Sequence, residues 1–359
     1  MADLLALTAQ LVDIPSVSFN EEDLVAFLET ELRVIGGLTV DRVGDNLVAR
    51  TTLGRQHRLI LAGHTDTVPG QQGSRIEGDT LWGLGSTDMK SGLAVMLELA
   101  RTVTEPAVDV TYVFYACEEV ASEHNGLQQL FTEAPELLTG DVAILGEPTD
   151  GIIEAGCQGT MRLEVMLGGV RSHSARPWMG RNAIHRAGPL LAAVAGYQHR
   201  EPVVDGCTYR EALQVVNISG GVAGNVVPDA VTLLINHRYA PDRSAEQAEA
   251  HVRSVLAPFL EDGDQVTLVN NSPAAAPGLN HPLLSALIGR NDLPVEAKLG
   301  WTDVAFFSGH GVPAVNFGPG DATLAHTKDE RGAVQRSDAR RGRQEDRRVL
   351  RGRRLLQRT

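Results

Sequence analysis

Five strand-like segments of this sequence end in residues that can bind metal ions or transfer protons. In the stretch LAGHTDTVPG, residues 61–70, His64 and Asp66 stand two residues apart, directly after the apolar run 59–61. A metal-ligating imidazole is commonly oriented by a nearby carboxylate, and this spacing allows it. Ordinary turn chemistry explains most isolated pairs of this kind, so a metal site requires further ligands elsewhere in the chain.

Carboxylates follow three other predicted elements. GLGSTDMKSG places Asp88 between a glycine-rich loop and a predicted helix, where it either caps the helix or bridges two metal ions. YACEEV ends a long apolar strand with Glu118 and Glu119. Adjacent strand residues point to opposite faces, so at least one glutamate should face a group that compensates its charge. AILGEPTD brings Glu147 directly after another buried strand.

The fifth segment, FGPGDATLAHTKDE, carries His326 in a loop after the apolar strand predicted over 313–317. Apart from Asp66, the five strand ends offer two histidines and three carboxylates as metal ligands, and one further carboxylate. Nitrogen and oxygen ligands of this kind suit Zn²⁺. The combination predicts a two-metal hydrolytic site.

The strands and helices predicted around these residues indicate an α/β fold. Strands (58–62, 108–116, 141–145) alternate with helices (91–103, 125–131) in the first half, which implies a mainly parallel sheet flanked by helices. After about residue 159, strands over 161–166, 213–219 and 230–239 and helices over 182–194 and 245–260 predict an inserted α+β domain with an antiparallel sheet. The predicted division is 1–158, 159–271 and 272–359.

Composition excludes several classes of protein. The chain has 359 residues and a net charge of −13, which argues against nucleic acid as a partner. No apolar run approaches the roughly 20 residues of a membrane span. The N-terminal residues have helical spacing (Leu4, Leu7, Leu11) without a basic region, which favours a helix over a signal peptide. Three cysteines without a CxxC pattern favour buried thiols and a cytoplasmic protein.

The motifs HTDTVP, GSTDMKSG, CEE, LGEPT and HTKDE resemble, in order and spacing over residues 1 to about 330, those of the M20 family of metallopeptidases and deacylases. The resemblance implies a catalytic domain split around an inserted lid and dimerisation domain. It implies two zinc ions, with Co²⁺ as a possible substitute, held by His64, Asp88 and Glu147 and by Asp88, Glu119 and His326.

The resemblance also assigns roles to residues outside the metal ligands. Asp66 would orient His64, Glu118 would be the general base, and the peptide bond between Asp88 and Met89 would be cis. His173 would reach from the lid domain of a second copy of the chain to stabilise the oxyanion, which requires a homodimer.

Further lid residues match positions that bind substrate. Asn225 and Arg238 match residues that grip a carboxylate of the substrate, and an arginine in an otherwise apolar strand usually has an anionic partner. Thr160 and the turn Gly300, Trp301 and Thr302 match positions that hold a succinyl carboxylate.

The stretches EAGCQGT, HSARPWMGRNAIH and KLGWTDVA are most similar to the branch of the family that cleaves N-succinyl-LL-2,6-diaminopimelate to succinate and LL-2,6-diaminopimelate. The alternatives are deacetylation of acetylornithine, hydrolysis of another N-acyl amino acid, or a binding protein without catalysis on the same scaffold. Cys157, Gln158, Arg176 and Trp301 depart from the residues that many members of the family have.

The end of the chain departs from the family pattern. Residues 331–359 contain 11 arginines, where the family usually has an amphipathic helix that packs on the catalytic domain. Because the whole chain has only 3 lysines against 29 arginines, a GC-rich gene is indicated. We interpret the segment as the product of a frameshift just after Glu330, with a basic tail that binds acidic partners as the alternative.

Overall fold

The computed structural model describes residues 3–71 and 73–333. Eight α-helices lie within these residues: α1 (Leu4–Asp13), α2 (Glu22–Arg33), α3 (Lys90–Thr102), α4 (Gly126–Glu133), α5 (Ala183–Ala195), α6 (Ala245–Leu256), α7 (Pro282–Asn291) and α8 (Val304–Gly309). No helix in this part of the chain has both the length and the apolar character needed to cross a membrane.

The same residues form nineteen strands. They are β1 (Leu38–Val43), β2 (Asn46–Thr51), β3 (Arg58–His64), β4 (Arg75–Glu77), β5 (Thr80–Trp82), β6 (Asp109–Tyr115), β7 (Val142–Leu145), β8 (Ile153–Ala155), β9 (Gly159–Gly168), β10 (Ser172–His173), β11 (Val203–Val204), β12 (Cys207–Thr208), β13 (Ala212–Gly220), β14 (Val226–Val227), β15 (Ala230–Tyr239), β16 (Gln265–Ser272), β17 (Val295–Ala297), β18 (Ala314–Asn316) and β19 (Arg331–Ala333).

The chain divides into two compact units. The first comprises the described residues up to Ala155, Pro277–Glu296 and the described residues from Phe306 onward. Its eight-stranded sheet has the order β1-β2-β6-β3-β7-β18-β8-β17, and the four central strands β6, β3, β7 and β18 are parallel. All seven residues of β6 are buried, as expected for a strand covered on both faces.

The second unit comprises Gly156–Ala276 and Ala297–Ala305. Its four-stranded antiparallel sheet has the order β13-β15-β9-β16. Alternate residues of β9 and β15 form one core with the apolar sides of α5 and α6. A capping box between Ser244 and Gln247 fixes the start of α6. The opposite face of the sheet carries most of the polar residues of both strands, whereas His237 is buried on the covered face.

Most predicted elements are present, with changes at their ends. The strand predicted over 58–62 continues to His64, so this residue ends β3 instead of lying in a turn. The mainly parallel sheet, the antiparallel second sheet and the N-terminal helix are confirmed. No element was predicted for residues 22–51, where the structure has α2, β1 and β2.

Two other predictions concern cysteines and boundaries. All three cysteines are free and buried, as expected. The divisions between the units lie a few residues from the predicted ones, and residues 297–305 belong to the second unit. That these parts are a catalytic domain and a lid or dimerisation domain stays a prediction. The interpretation of the tail covers residues 331–359; of these, residues 331–333 form β19, and residues 334–359 lie outside the described part of the chain.

Candidate metal centre

Three neighbouring parallel strands bring the candidate ligands to one edge of the first sheet. His64, the last residue of β3, pairs with Tyr115, the last residue of β6, and Ala62 pairs with Leu145 at the end of β7. The loops that carry Glu118, Glu119 and Glu147 therefore start at the same edge as His64. Carboxyl ends of parallel strands are the usual location of sites in α/β proteins.

Glycines allow the first turn of α3 to approach these strands closely. A Cβ added to Gly63 would lie 2.4 Å from Met89 Cε, and one added to Gly92 would lie 2.2 Å from the carbonyl oxygen of Gly146. Both distances are shorter than any real contact of such atoms, so larger residues would push α3 away. The close packing places Asp88, which directly precedes Met89, against the end of β3.

Asp88 lies between the two histidines. His64 Nε2 is 3.1 Å from Asp88 Oδ1, and His326 Nε2 is 3.4 Å from Asp88 Oδ2. The peptide bond from Asp88 to Met89 is cis, as the resemblance implies. Each oxygen of this carboxylate thus faces a different imidazole, which is the arrangement that a bridging ligand needs.

The other two predicted ligands extend this cluster on opposite sides. Glu147 Oε1 lies 4.0 Å from His64 Nε2, and Glu119 Oε1 lies 2.8 Å from His326 Nε2. Ligand atoms of His64, Asp88 and Glu119 also lie within 4.8 Å of one another. These distances connect all five predicted ligands in one cluster with Asp88 at its centre, and their assignment to two metal ions stays a prediction.

Asp66 holds the residues of the cluster in place through hydrogen bonds. It is fully buried, and its carboxylate accepts hydrogen bonds from the main-chain N–H groups of Glu118 at 2.9 Å and Glu119 at 3.1 Å and from the Ser18 hydroxyl at 2.8 Å. Its carbonyl oxygen lies 3.0 Å from His64 Nδ1, closer than its carboxylate at 3.5 Å. Asp66 therefore holds His64 mainly through the main chain and uses its carboxylate to fix the two glutamates.

The strand-alternation argument for Glu118 and Glu119 was wrong. The strand β6 ends at Tyr115, and Cys117 has a left-handed φ of 59°, so both glutamates lie in a loop beyond the strand. Their directions are set by the hydrogen bonds to Asp66 and not by the pleat of a strand. The sequence could not reveal this, because the turn is made by a cysteine and not by a glycine.

Glu330 is a supporting residue that sequence reasoning missed. Its carboxylate Oε1 accepts hydrogen bonds from the main-chain N–H groups of Thr87 and Asp88, each at 3.1 Å, and it is 3% exposed. Burial raises the pKa of Glu330. It lies 242 residues from Asp88 in the sequence, so no local pattern links the two.

The pKa values of the cluster reflect an excess of negative charge. Burial opposes the charged form of His64, but hydrogen bonds with Asp66 and Asp88 outweigh it and raise its pKa well above the usual value. The contact with Asp88 raises the pKa of His326 to about 9. Burial also opposes ionisation of Asp88, yet the two imidazoles hold its pKa well below the usual range.

This charge distribution fits a pair of divalent cations. His64 Nδ1 donates to the carbonyl of Asp66, which leaves the lone pair of Nε2 directed at Asp88 Oδ1. Two lone pairs 3.1 Å apart require a proton or a cation between them. Imidazole nitrogens and carboxylate oxygens are ligands that Zn²⁺ accepts.

The second unit contains His173, which is predicted to stabilise the oxyanion, and the nearby Asn225. His173 is exposed in β10, whose pairing with β14 sets it opposite Val226, next to Asn225. Its Nδ1 accepts a hydrogen bond of 3.0 Å from the N–H of Ala175. The proton of a neutral ring therefore lies on Nε2, where it can be donated to an anion. Asn225 is exposed, and its carbonyl oxygen accepts from Ser174 N–H.

The other predicted substrate residues lie in two places in this unit. Thr160 of β9 and Arg238 of β15 are directly paired across the sheet and half-buried. Gly300, Trp301 and Thr302 precede α8, and Trp301 Nε1 donates to the carbonyl of Pro273 at 3.1 Å. The unusual residues Cys157 and Gln158 are both buried.

Comparisons with known proteins agree on one family. The family model described as peptidase family M20/M25/M40 matches residues 60–342. A protein of Mycobacterium tuberculosis with the provisional name succinyl-diaminopimelate desuccinylase is 51% identical over 334 residues, 92% of this chain and 93% of its own. The succinyl-diaminopimelate desuccinylase of Corynebacterium glutamicum is 45% identical and covers 93% of each chain.

The fold is also similar to solved structures. A tripeptidase from Staphylococcus aureus superposes with a TM-score of 0.77 at 21% identity and covers 98% of this chain and 96% of its own. At this level of identity the likeness concerns the fold alone.

Proposed function

The chain belongs to the M20/M25/M40 peptidase family, and from that premise we propose that it is a metal-dependent amide hydrolase that cleaves N-succinyl-LL-2,6-diaminopimelate to succinate and LL-2,6-diaminopimelate. Two relatives that are 45% and 51% identical over most of the chain have names for this activity. The single observation that carries the proposal is the cluster in which Asp88 lies between His64 and His326.

We assign the metal ligands to the two groups that share Asp88. His64, Asp88 and Glu147 would hold one zinc ion, and Asp88, Glu119 and His326 would hold the other, with Co²⁺ as a possible substitute. When bound, two such ions lower the pKa of water and polarise the carbonyl of the amide. We also propose a cytoplasmic location, where thiols such as the three free cysteines stay reduced.

Glu118 is the residue that we assign to proton transfer. Its main-chain N–H is fixed by Asp66 Oδ1, so the start of its side chain has a defined position beside Glu119. A carboxylate held there can accept a proton from the attacking water and return it to the nitrogen of the leaving amine. His173, with its proton on Nε2, is suited to donate a hydrogen bond to the developing oxyanion.

We further propose that the chain acts as a homodimer through the second unit. Among the described residues, the outer strand β13 has a neighbour in the sheet only on the side of β15, and it exposes Val216 and Ile218 at 54% and 47%. An open edge with exposed apolar residues is suited to pair with a second copy. We expect Ile218→Lys to shift the mass measured by light scattering from dimer to monomer; an unchanged mass would contradict this assignment.

The activity is tested by comparing two substrates and by comparing substitutions at two glutamates. With zinc-reconstituted protein, we expect hydrolysis of N-succinyl-LL-2,6-diaminopimelate to be much faster than that of N-acetylornithine. Glu118→Gln should lower kcat by about 10²–10⁴-fold with the metal content unchanged. The control Glu123→Gln, at an exposed glutamate nearby, should retain full activity. Faster hydrolysis of the acetyl substrate would preserve the reaction type and overturn the substrate.

A further inference from the structure

The polar face of the four-stranded sheet in the second unit carries two arginines side by side. In the pairing of β9 with β15, Arg162 lies opposite Asn236 and Arg238 lies opposite Thr160. Residues two apart in a strand share a face, so all four side chains lie on the face that α5 and α6 do not cover. Arg162 and Arg238 are diagonal neighbours, within reach of long side chains.

Neither guanidinium has an acidic partner in the part of the chain that the structure describes. No carboxylate of residues 3–71 and 73–333 lies within 4.0 Å of Arg162 or Arg238. The other charged residue of this face in β9 is Glu164, which is exposed and makes no ion pair within those ranges. Two adjacent arginines repel each other, and burial together with Arg162 lowers the pKa of Arg238.

The polar groups next to the two arginines are held by hydrogen bonds, and one hydroxyl group among them can still donate. Asn236 Nδ2 donates to Thr160 Oγ1 and to the carbonyl of Met161, each at 3.1 Å. Since Thr160 Oγ1 accepts this bond, its own hydroxyl hydrogen can be donated elsewhere. The face thus presents two guanidinium groups and a hydroxyl donor, which together suit a carboxylate.

From this arrangement we infer that Arg162 is a specificity-determining residue: together with Arg238 and Thr160 it binds the carboxylate at the end of the acyl group, and so selects acyl groups with a terminal carboxylate over acetyl. The inference rests on the proposed function. A neutral acetyl group has no charge to compensate the two arginines. A succinyl group brings the missing negative charge, which explains why two cations are kept together without an acid of their own.

The experiment measures binding and turnover in the full-length protein. Succinate and acetate are titrated calorimetrically into the wild type, Arg162→Gln and Arg162→Lys, and kcat and KM are determined for N-succinyl-LL-2,6-diaminopimelate. The control is Arg210→Gln, since Arg210 is an exposed arginine of the same unit that lies outside the sheet. The Tm of each variant reports its folding.

We expect Arg162→Gln to raise both KM and the Kd for succinate by about tenfold or more, with kcat within about twofold of the wild type. The affinity for acetate should not change, Arg162→Lys should recover part of the loss, and Arg210→Gln should match the wild type. A merely structural role would lower Tm and would not separate succinate from acetate. Succinate binding and KM within about twofold of the wild type in Arg162→Gln would overturn the inference.

The two proposals fail in different ways. If the zinc-loaded wild type does not hydrolyse the succinyl substrate, the proposed function is wrong, and the calorimetric comparison still decides the role of Arg162. Succinate binding that depends on Arg162 would then support the carboxylate site without the reaction. Absent binding, or binding that is equal in Arg162→Gln, would overturn the site as well.

Discussion

The two units of this chain organise charge in opposite ways. In the first unit, acidic side chains converge on two imidazoles, and the raised pKa of His64 and His326 reports the excess of negative charge. In the second unit, Arg162 and Arg238 lie on one half-exposed sheet face without an acidic partner among the described residues. The first arrangement attracts cations and the second attracts anions.

The interactions that hold the side chains in place also differ between the two regions. The acidic cluster is held by main-chain hydrogen bonds to buried carboxylates, as Asp66 and Glu330 show. The arginine pair depends on the register of two strands, and its side chains can be exchanged without leaving a buried group unpaired. Substitutions in the first region should therefore affect metal binding and folding together, whereas those in the second should change selectivity alone.

The largest effect is expected from substitution of Asp88, the residue that both proposed ligand groups share. Asp88→Ala should abolish binding of both metal ions and lower kcat/KM to less than about a thousandth. Metal analysis by mass spectrometry and steady-state kinetics would measure this. Asp23→Ala, at an exposed aspartate in the first turn of α2, is the control and should bind two ions. Retention of both ions by Asp88→Ala would disprove the bridging role.

Removing the support beneath Asp88 should have the next largest effect. Glu330→Ala leaves the N–H groups of Thr87 and Asp88 without their acceptor, which should lower the free energy of unfolding by about 2–4 kcal/mol. Urea denaturation measures this change. Glu330→Gln retains an acceptor oxygen and should lose less than half as much. Equal losses in the two variants would mean that the charge of Glu330 matters more than its hydrogen bonds.

A smaller effect is expected from the hydroxyl that binds Asp66. Ser18→Ala removes a hydrogen bond of 2.8 Å to a buried carboxylate and should weaken metal binding by about 10-fold, with a loss of about 1–2 kcal/mol in stability. Competition with a zinc chelator measures the affinity. Thr30→Ala, which removes an exposed hydroxyl in α2, should leave the affinity unchanged. If the two variants bind zinc equally well, Asp66 does not need this contact.

The smallest effect concerns the second unit and should leave the metal centre untouched. A hydrogen bond from Arg186 lowers the pKa of Asp264 to about 2, below the value of about 4 for an unfolded chain. The stabilisation is therefore complete above about pH 5 and is lost as the pH falls toward 2, with a magnitude of about 1–2 kcal/mol.

Asp264→Asn should reduce this part of the acid dependence of unfolding while two zinc ions stay bound at neutral pH. Denaturation between pH 3 and 7 tests the first expectation and metal analysis tests the second. Loss of zinc in this variant would show that the two regions are not separable.

Much of the fold and of the acidic cluster could be predicted from the sequence. Continuous apolar or β-branched runs located β3 and β6, and alternation of apolar residues located β9, each within a few residues, because burial on one or both faces leaves a short-range pattern in the sequence. In the missed segment 22–51, β1 lies at the edge of the sheet with mixed burial and therefore has a weak apolar pattern, whereas β2 is almost fully buried and α2 is amphipathic, so both could have been predicted. Glu330 was missed because its hydrogen bonds join residues that are far apart in the chain.

By itself, the sequence determined which residue types stand at the strand ends, and hence the prediction of a two-metal site. Only the tertiary structure decided how they are held. Asp66 fixes Glu118 and Glu119 through their main-chain N–H groups, and Arg162 lies beside Arg238, because strand pairing and loop closure join segments that no local pattern relates. Residue chemistry is local, whereas distance and register are properties of the folded chain.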